Sequence, residues 1–376
     1  MSKKWKVLIG IAVAAACVFG SFCALAGYLA FGFAKRATLF NEGVAAVNRD
    51  DLDTASSKFR AALKGWQAPD RRAYAFTIIG LSEERNGECE KALDEYSQAL
   101  RIDPKSKLAH EFRGRILRDA GKTDDAFNDF SEAIRLDPNN HGAFVGRGLI
   151  DLSRKDFDQA IEDFSEAVRT DPDSASSYAN RGLAYAYKRD FEQALINYDA
   201  ALRLDPSDAR ALANRAGLYS QQKDFDRAIQ DLTAAIQTNP RYGPTYRARA
   251  SAYLGRKEYA KAVDDFEQAL RMDPADDSTL NGLAWLRATC PEASYRNGKR
   301  AIEQATAACK ISDWRNAAYI DTLAAGYAEV GDFKSAISYE DKAIRCDSSN
   351  DEQVRDMQER MTLYRSNKAY RQRIGE

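Results

Sequence analysis

Between Ala175 and Asp208 the apolar positions recur with the period of a helix, stop over a short polar turn, and then recur again. Tyr178, Gly182 and Tyr185 fall at i, i+4 and i+7, on one face of a first helix, and Ala194, Tyr198 and Ala201 repeat that spacing in a second. Asp190 stands between them as an N-cap with Gln193 three residues on, and Asp156 and Gln159 form the same pair earlier in the chain. The stretch predicts a helix, a turn and a second helix. A shift of 34 residues brings the pattern back: Asp-Pro pairs stand at 103–104, 137–138, 171–172, 205–206 and 273–274, with Asn239-Pro240 on the same grid. Proline cannot continue a helix, and an Asp or Asn before it can turn its side chain onto nearby backbone N–H groups, so each pair marks a turn. One helix pair buries too little to stand alone, which makes the chain an all-α α-solenoid of stacked helix-turn-helix units.

The repeated positions resemble those of the tetratricopeptide repeat. Five signature positions fall on one unit as Gly148, Ala160, Phe164, Ala167 and Pro172, and others read Gly80, Ala92, Tyr96, Ala99, Pro104; Gly114, Ala126, Phe130, Ala133, Pro138; and Ala250, Ala262, Phe266, Ala269, Pro274. Nine such repeats are expected, at 36–72, 73–106, 107–140, 141–174, 175–208, 209–242, 243–276, 277–316 and 317–350. The eighth carries an inserted turn, Cys290 to Gly298, and the ninth places Glu340 where an aromatic belongs, with Tyr339 expected to fill in. The closing segment is similar to that of a subset of bacterial members. Residues 351–364 predict a capping helix with Val354, Met357, Met361 and Tyr364 inward, and 365–376 a flexible tail.

A ladder of Arg113, Arg147, Arg181, Arg215 and Arg249 runs at 34-residue steps, with Asp129, Asp163, Asn197, Asp231 and Asp265 each sixteen residues further on. The constant offset favours a packing device over a row of guanidinium groups offered to an anion, since a charge buried between helices needs a partner. The resemblance implies a concave groove, lined by first helices, that holds peptides or protein partners. It would include Glu111, Arg115, Arg118, Leu149, Leu152, Asn180, Leu183, Tyr187, Arg210, Asn214, Gln221, Arg247 and Ser251. A carboxylate clamp of the kind found in chaperone-binding members is incomplete: Arg247 and Ser251 occupy two of its positions, but Gly282 stands where an Asn is needed.

Val7 to Ala34 holds no charged residue, and as a helix it would be roughly 42 Å long against a hydrocarbon core of ~30 Å. It predicts one transmembrane helix preceding the solenoid, after a basic cytoplasmic segment 1–6 carrying Lys3, Lys4 and Lys6. Cleavage after Ala26, or lipidation at Cys17, are the rival readings. With the amino terminus inside, the solenoid lies outside the cytoplasm, on the periplasmic side. Gly20 and Ala24 form a small-xxx-small pair that would allow self-association.

Charge and reactive side chains narrow the function. Five of the 55 basic residues lie in the first 36 positions, which hold no Asp or Glu, so the remainder carries 50 basic against 56 acidic residues and offers no field for nucleic acid. Cys17 and Cys23 sit in the apolar span; Cys89, Cys290, Cys309 and Cys346 lack zinc spacing and read as small buried residues, with a Cys290 to Cys309 disulfide open if the domain is exported. His110 and His141 read as helix-surface residues. No nucleophile motif or phosphate loop is present. The expected function is a non-enzymatic, membrane-anchored scaffold that binds protein or peptide partners without cofactor or metal. The alternative is a regulatory subunit of a membrane-associated enzyme or assembly complex.

Overall fold

A computed structural model describes residues 27–64, 68–346 and 351–372. The described residues form nineteen α-helices and one 3-10 turn, with no strand. First helices of successive repeats are α1 Gly27–Asn48, α3 Pro69–Arg85, α5 Lys107–Asp119, α7 His141–Ser153, α9 Ala175–Tyr187, α11 Ala209–Gln221, α13 Gly243–Gly255, α15 Asp277–Thr289 and α17 Ala317–Glu329. Second helices are α2 Leu52–Leu63, α4 Cys89–Ile102, α6 Thr123–Leu136, α8 Phe157–Thr170, α10 Phe191–Leu204, α12 Phe225–Thr238, α14 Tyr259–Met272, α16 Gly298–Ile311 and α18 Phe333–Cys346, and α19 Asp351–Arg365 follows them. The chain divides into two compact halves, one through Arg189 and one from Asp190.

The predicted membrane span falls mainly on residues outside those described. Its described end, Gly27 to Ala34, is continuous with the first repeat helix as far as Asn48. None of the described helices is long and apolar enough to cross a membrane. The second repeat opens at Pro69, four residues before the expected boundary, because proline suits the first helical turn, where its missing N–H has no partner to lose.

The turns follow from their residues. Asp103, Asp137, Asp171, Asp205 and Asp273 each accept, on Oδ1, the backbone N–H two residues on, at 2.9 to 3.4 Å. Asp156, Asp190 and Asp224 cap α8, α10 and α12 by accepting the N–H three residues on. Between first and second helices the chain passes through a left-handed residue: Gly87, Gly121 and Gly331, but also Lys155, Arg189, Lys223 and Lys257, with φ from 59° to 83°.

Small residues on the first helix let an aromatic of the second lie against its backbone. In the amino-terminal half Phe59, Tyr96, Phe130 and Phe164 are fully buried or nearly so. A Cβ added at Gly43, Gly80, Gly114 or Gly148 would come within 2.7 to 3.1 Å of these rings. In the other half Phe266 is buried with Ala250, and Leu232 with Ala216.

The arginine ladder is the packing device that its spacing suggests. Arg113, Arg147, Arg215 and Arg249 each grip both oxygens of the Asp sixteen residues on, with N–O distances of 2.7 to 2.8 Å. Nη1 reaches the second helix of the preceding repeat, at Ser131 from Arg147, Ser165 from Arg181, Asp199 from Arg215 and Thr233 from Arg249. In the eighth repeat Leu283 stands at the ladder position, and Arg287, one turn later, bridges Glu267 and Gln304 instead. The histidines also join elements. His110 contacts Asp129 and the Pro104 carbonyl at 2.8 and 3.0 Å, and His141 contacts the Ala167 carbonyl at 3.1 Å.

At the carboxy-terminal end Tyr339 is half-buried against the core, as expected, and stacks on Tyr327 and Trp314 at 5.3 and 6.2 Å. Glu340 itself is fully buried there, 3.6 Å from Arg360 of α19, which donates to both oxygens of Asp321 at 2.9 and 3.1 Å. One guanidinium faces two carboxyls. Asp321 takes both N–H bonds, with burial raising its carboxyl and Arg360 opposing, while burial, with Asp321 beside it, pushes Glu340 up to about 10. Met357, Met361 and Tyr364 are buried under α19, with Val354 at the margin. Cys290 and Cys309 are buried free thiols, whereas Cys89 and Cys346 are exposed.

Candidate functional site

Within each half, first helices of neighbouring repeats touch directly: α3 with α5, α5 with α7 and α7 with α9, and α11 with α13 and α15 with α17. The second helices approach one another far less among the described residues, so the first helices line the inner side of each half. The residues read as a groove stand on these helices, in two separate sets.

In the amino-terminal half the set begins with a charged network. Arg115 donates Nε and Nη2 to the two oxygens of Glu84 on α3, at 3.0 and 2.9 Å, and its guanidinium lies 4.9 Å from the Phe112 ring. Tyr96 donates its hydroxyl to the same Glu84 at 2.9 Å. Burial would ease the proton off Arg115, but the hydrogen bonds and charge of Glu84 outweigh it and hold the proton more tightly. Glu111 is buried, and burial pushes its carboxyl up to about 7, with Asn140 and Arg115 opposing. Arg118 pairs with its neighbour Asp119 at 2.8 Å.

Beyond this network the face turns apolar. Leu149 and Leu152 of α7 are half-buried against Ala160, Phe164 and Ala184. On α9 Asn180 and Leu183 are half-buried, and Tyr187 is 56% exposed with one face stacked on Phe157 at 5.5 Å. A large exposed aromatic held flat by a neighbour is ordered before any partner arrives, which lowers the entropy cost of binding.

In the carboxy-terminal half Arg210 and Gln221 are exposed on α11 and Asn214 is half-buried. Arg247 donates Nη1 to Asp276, the cap of α15, at 2.7 Å, and Ser251 donates its hydroxyl to the Arg247 carbonyl at 3.1 Å. Arg247 is therefore engaged with the protein itself. A carboxylate clamp has no room at its third position, because a Cβ at Gly282 would lie 3.0 Å from the Phe266 ring. Among the described residues no cluster of three or more His, Cys, Asp or Glu is placed to hold a metal.

Two features escaped the sequence reading. Trp285 of α15 lies 34 residues after Ser251, in the register of Leu149 and Leu183, and the inserted turn that follows it obscured the step. A second ladder joins Lys188 to Asp158 and Arg256 to Asp226 at 2.5 Å, with Arg154 to Asp124 at the same 30-residue offset. That offset is visible in the sequence but links a turn to the preceding repeat rather than two helices of one repeat.

A family model described as tetratricopeptide repeat matches residues 40–107, 113–175 and 180–243, more than half of the chain. A second model of the same description matches 244–276. Among solved structures, Pseudomonas aeruginosa pilF is 20% identical, covers 58% of this chain and 99% of its own, and gives a TM-score of 0.53. A tetratricopeptide repeat protein from Parabacteroides merdae is 21% identical over 65% of this chain and 96% of its own, with a TM-score of 0.49. YrrB, described as a TPR protein with an unusual peptide-binding site, is 16% identical over 50% of this chain and 96% of its own, with a TM-score of 0.42. At such identities likeness speaks for the fold alone. No curated protein matches the sequence at a significant level.

Proposed function

The chain belongs to the tetratricopeptide repeat family, and on that footing we propose that it is a non-enzymatic, membrane-anchored adaptor that holds a protein or peptide partner along the inner face of its first helices. One observation carries this reading. The small and aromatic residues that repeat every 34 positions are buried between helices, while the inner-face positions change from repeat to repeat and keep apolar surface in reach of solvent at Leu149, Leu152, Leu183 and Tyr187. A stacked frame with a variable surface can read a partner without disturbing its own core.

The charged inner-face residues serve orientation more than affinity. Arg115 and Arg247 already hold Glu84 and Asp276, so a partner that displaced those contacts would leave a part-buried carboxylate behind. Affinity is expected from Leu183 and Tyr187, with the arginines as a fixed rim.

The membrane part rests on the uncharged run from Val7 to Ala34 and its lysine-flanked start, and places the repeats on the periplasmic side. Membrane fractionation tests it: the full chain should resist carbonate extraction, and removal of residues 1–34 should release it. Pull-down tests the adaptor itself. A reproducible partner lost on substituting Leu183 and Tyr187 with Ala, with the thermal melt unchanged, supports it; turnover of a substrate by the purified protein alone would overturn it.

A further inference from the structure

Residues 368–372 lie along first helices, as a bound extended peptide would. After α19 the backbone turns at Asn367, which is left-handed with φ 54°, and residues 368–372 run back across α15 and α17. Three successive residues are held. The Tyr370 ring packs on Trp285 with centroids 5.9 Å apart, and the Arg360 guanidinium lies over both rings, at 5.6 and 5.4 Å. Arg371 pairs through Nη2 with Glu329 Oε2 at 2.7 Å. The backbone N–H of Gln372 donates to the Thr289 carbonyl at 2.9 Å.

Each receiving group belongs to the inner face. Trp285 stands in the register of Leu149, Leu183 and Ser251; Glu329 ends α17; and Thr289 ends α15, where the last carbonyls have no partner within the helix. An aromatic contact, an ion pair and a main-chain hydrogen bond at consecutive residues are what hold an extended peptide, the backbone giving affinity and the side chains choice. Ala369 and Tyr370 rest against the cluster of Ala324, Ala328 and Tyr364, but the ion pair is shallow: Arg371 keeps 39% of its side chain exposed, and Glu329 has a second partner in Arg296 at 2.9 Å, so it is not stranded when Arg371 leaves.

We propose that residues 368–372 are an internal occupant of a peptide site on α15 and α17, and that the site takes, in trans, an extended segment with an aromatic residue followed directly by a basic one. This rests on the inner-face reading above and adds a second, self-covered station to it. A tethered tail competes at an effective concentration of order millimolar. An added peptide therefore sees its apparent affinity reduced by the fraction of molecules with the site open, and freeing a site open about 1% of the time would tighten binding about 100-fold.

The test uses the full-length protein and a fluorescein-labelled, end-capped peptide of residues 366–372, SNKAYRQ, read by anisotropy. The Tyr370→Ala, Arg371→Glu double variant should bind it at least tenfold more tightly than the wild type. A chain ending at Lys368 serves as a second open form if the double variant melts early. Adding Glu329→Arg to the open form should abolish binding of SNKAYRQ and restore it for SNKAYEQ. Equal binding to closed and open forms, or binding to neither, overturns the proposal. Either result leaves the inner-face reading standing if a partner is still captured through Leu183; loss of that capture defeats the inner-face reading whatever the tail does.

Discussion

Arg147 of α7 grips both oxygens of Asp163 on α8, Nε to Oδ2 at 2.8 Å and Nη2 to Oδ1 at 2.7 Å, and extends Nη1 to Ser131 in the repeat before. One side chain thus ties three helices. Arg147→Lys keeps the charge but loses the fork, and should lower stability by about 1–2 kcal/mol. Asp163→Ala leaves a guanidinium part-buried without its main partner and should cost about 3 kcal/mol or more. Urea denaturation of each variant checks the order, and partner binding should be unchanged in both.

Gly148 and Phe164 show why the small residue recurs. A Cβ at position 148 would lie 2.9 Å from the ring, so Gly148→Ala should cost about 1–3 kcal/mol. The sixth repeat pairs Ala216 with the smaller Leu232, and the seventh holds Ala250 beside Phe266, so the cost at 148 belongs at the low end of that range. Gly148→Ala with Phe164→Leu should therefore lose less than the sum of the single changes, a coupling that a double-mutant cycle measures.

Lys155 occupies the left-handed turn position that glycine fills at Gly87, Gly121 and Gly331. A non-glycine residue pays about 1 kcal/mol or more for that conformation. Lys155→Gly should raise stability by about 0.5–1 kcal/mol, less the backbone entropy that glycine loses on folding, seen as a higher melting temperature.

Glu111 and Glu340 make stability depend on pH in windows that open together and close at different pH. Each folded pKa lies above the ordinary 4.5, so the folded chain holds a proton that the unfolded chain has released. The stabilisation is complete below pH 4.5 and is lost as pH rises, to about 7 for Glu111 and about 10 for Glu340, with a slope of up to about 1.4 kcal/mol per pH unit from each. Glu340→Gln should flatten the decline throughout pH 5 to 9.5, and Glu111→Gln only the part between pH 5 and 7. Thermal melts across these ranges separate the two.

The frame was legible because its chemistry is local and periodic. Asp171 before a proline, Asp156 before Gln159, and Arg147 sixteen residues from Asp163 each act within one repeat, and the spacing carries the contact. What the sequence hid was non-periodic. Glu340 looked like a defect to be covered by Tyr339, because its partner Arg360 lies in a helix outside the repeat grid. The tail looked loose because three contacts, at Tyr370, Arg371 and Gln372, leave no pattern in a short polar stretch. Arg115 and Arg247 looked free to bind a ligand, since Glu84 sits in the preceding repeat and Asp276 at the last position of the same repeat, at offsets of 31 and 29 residues, which differ from each other.

The inner-face claim is tested most directly by site-specific photo-crosslinking in the native cell. A photoreactive residue placed at Leu149 or at Leu183, on first helices, should capture the same protein, and one placed at the exposed Glu162 on the second helix α8 should not. Capture through Glu162 with none through Leu149 or Leu183 would contradict the account.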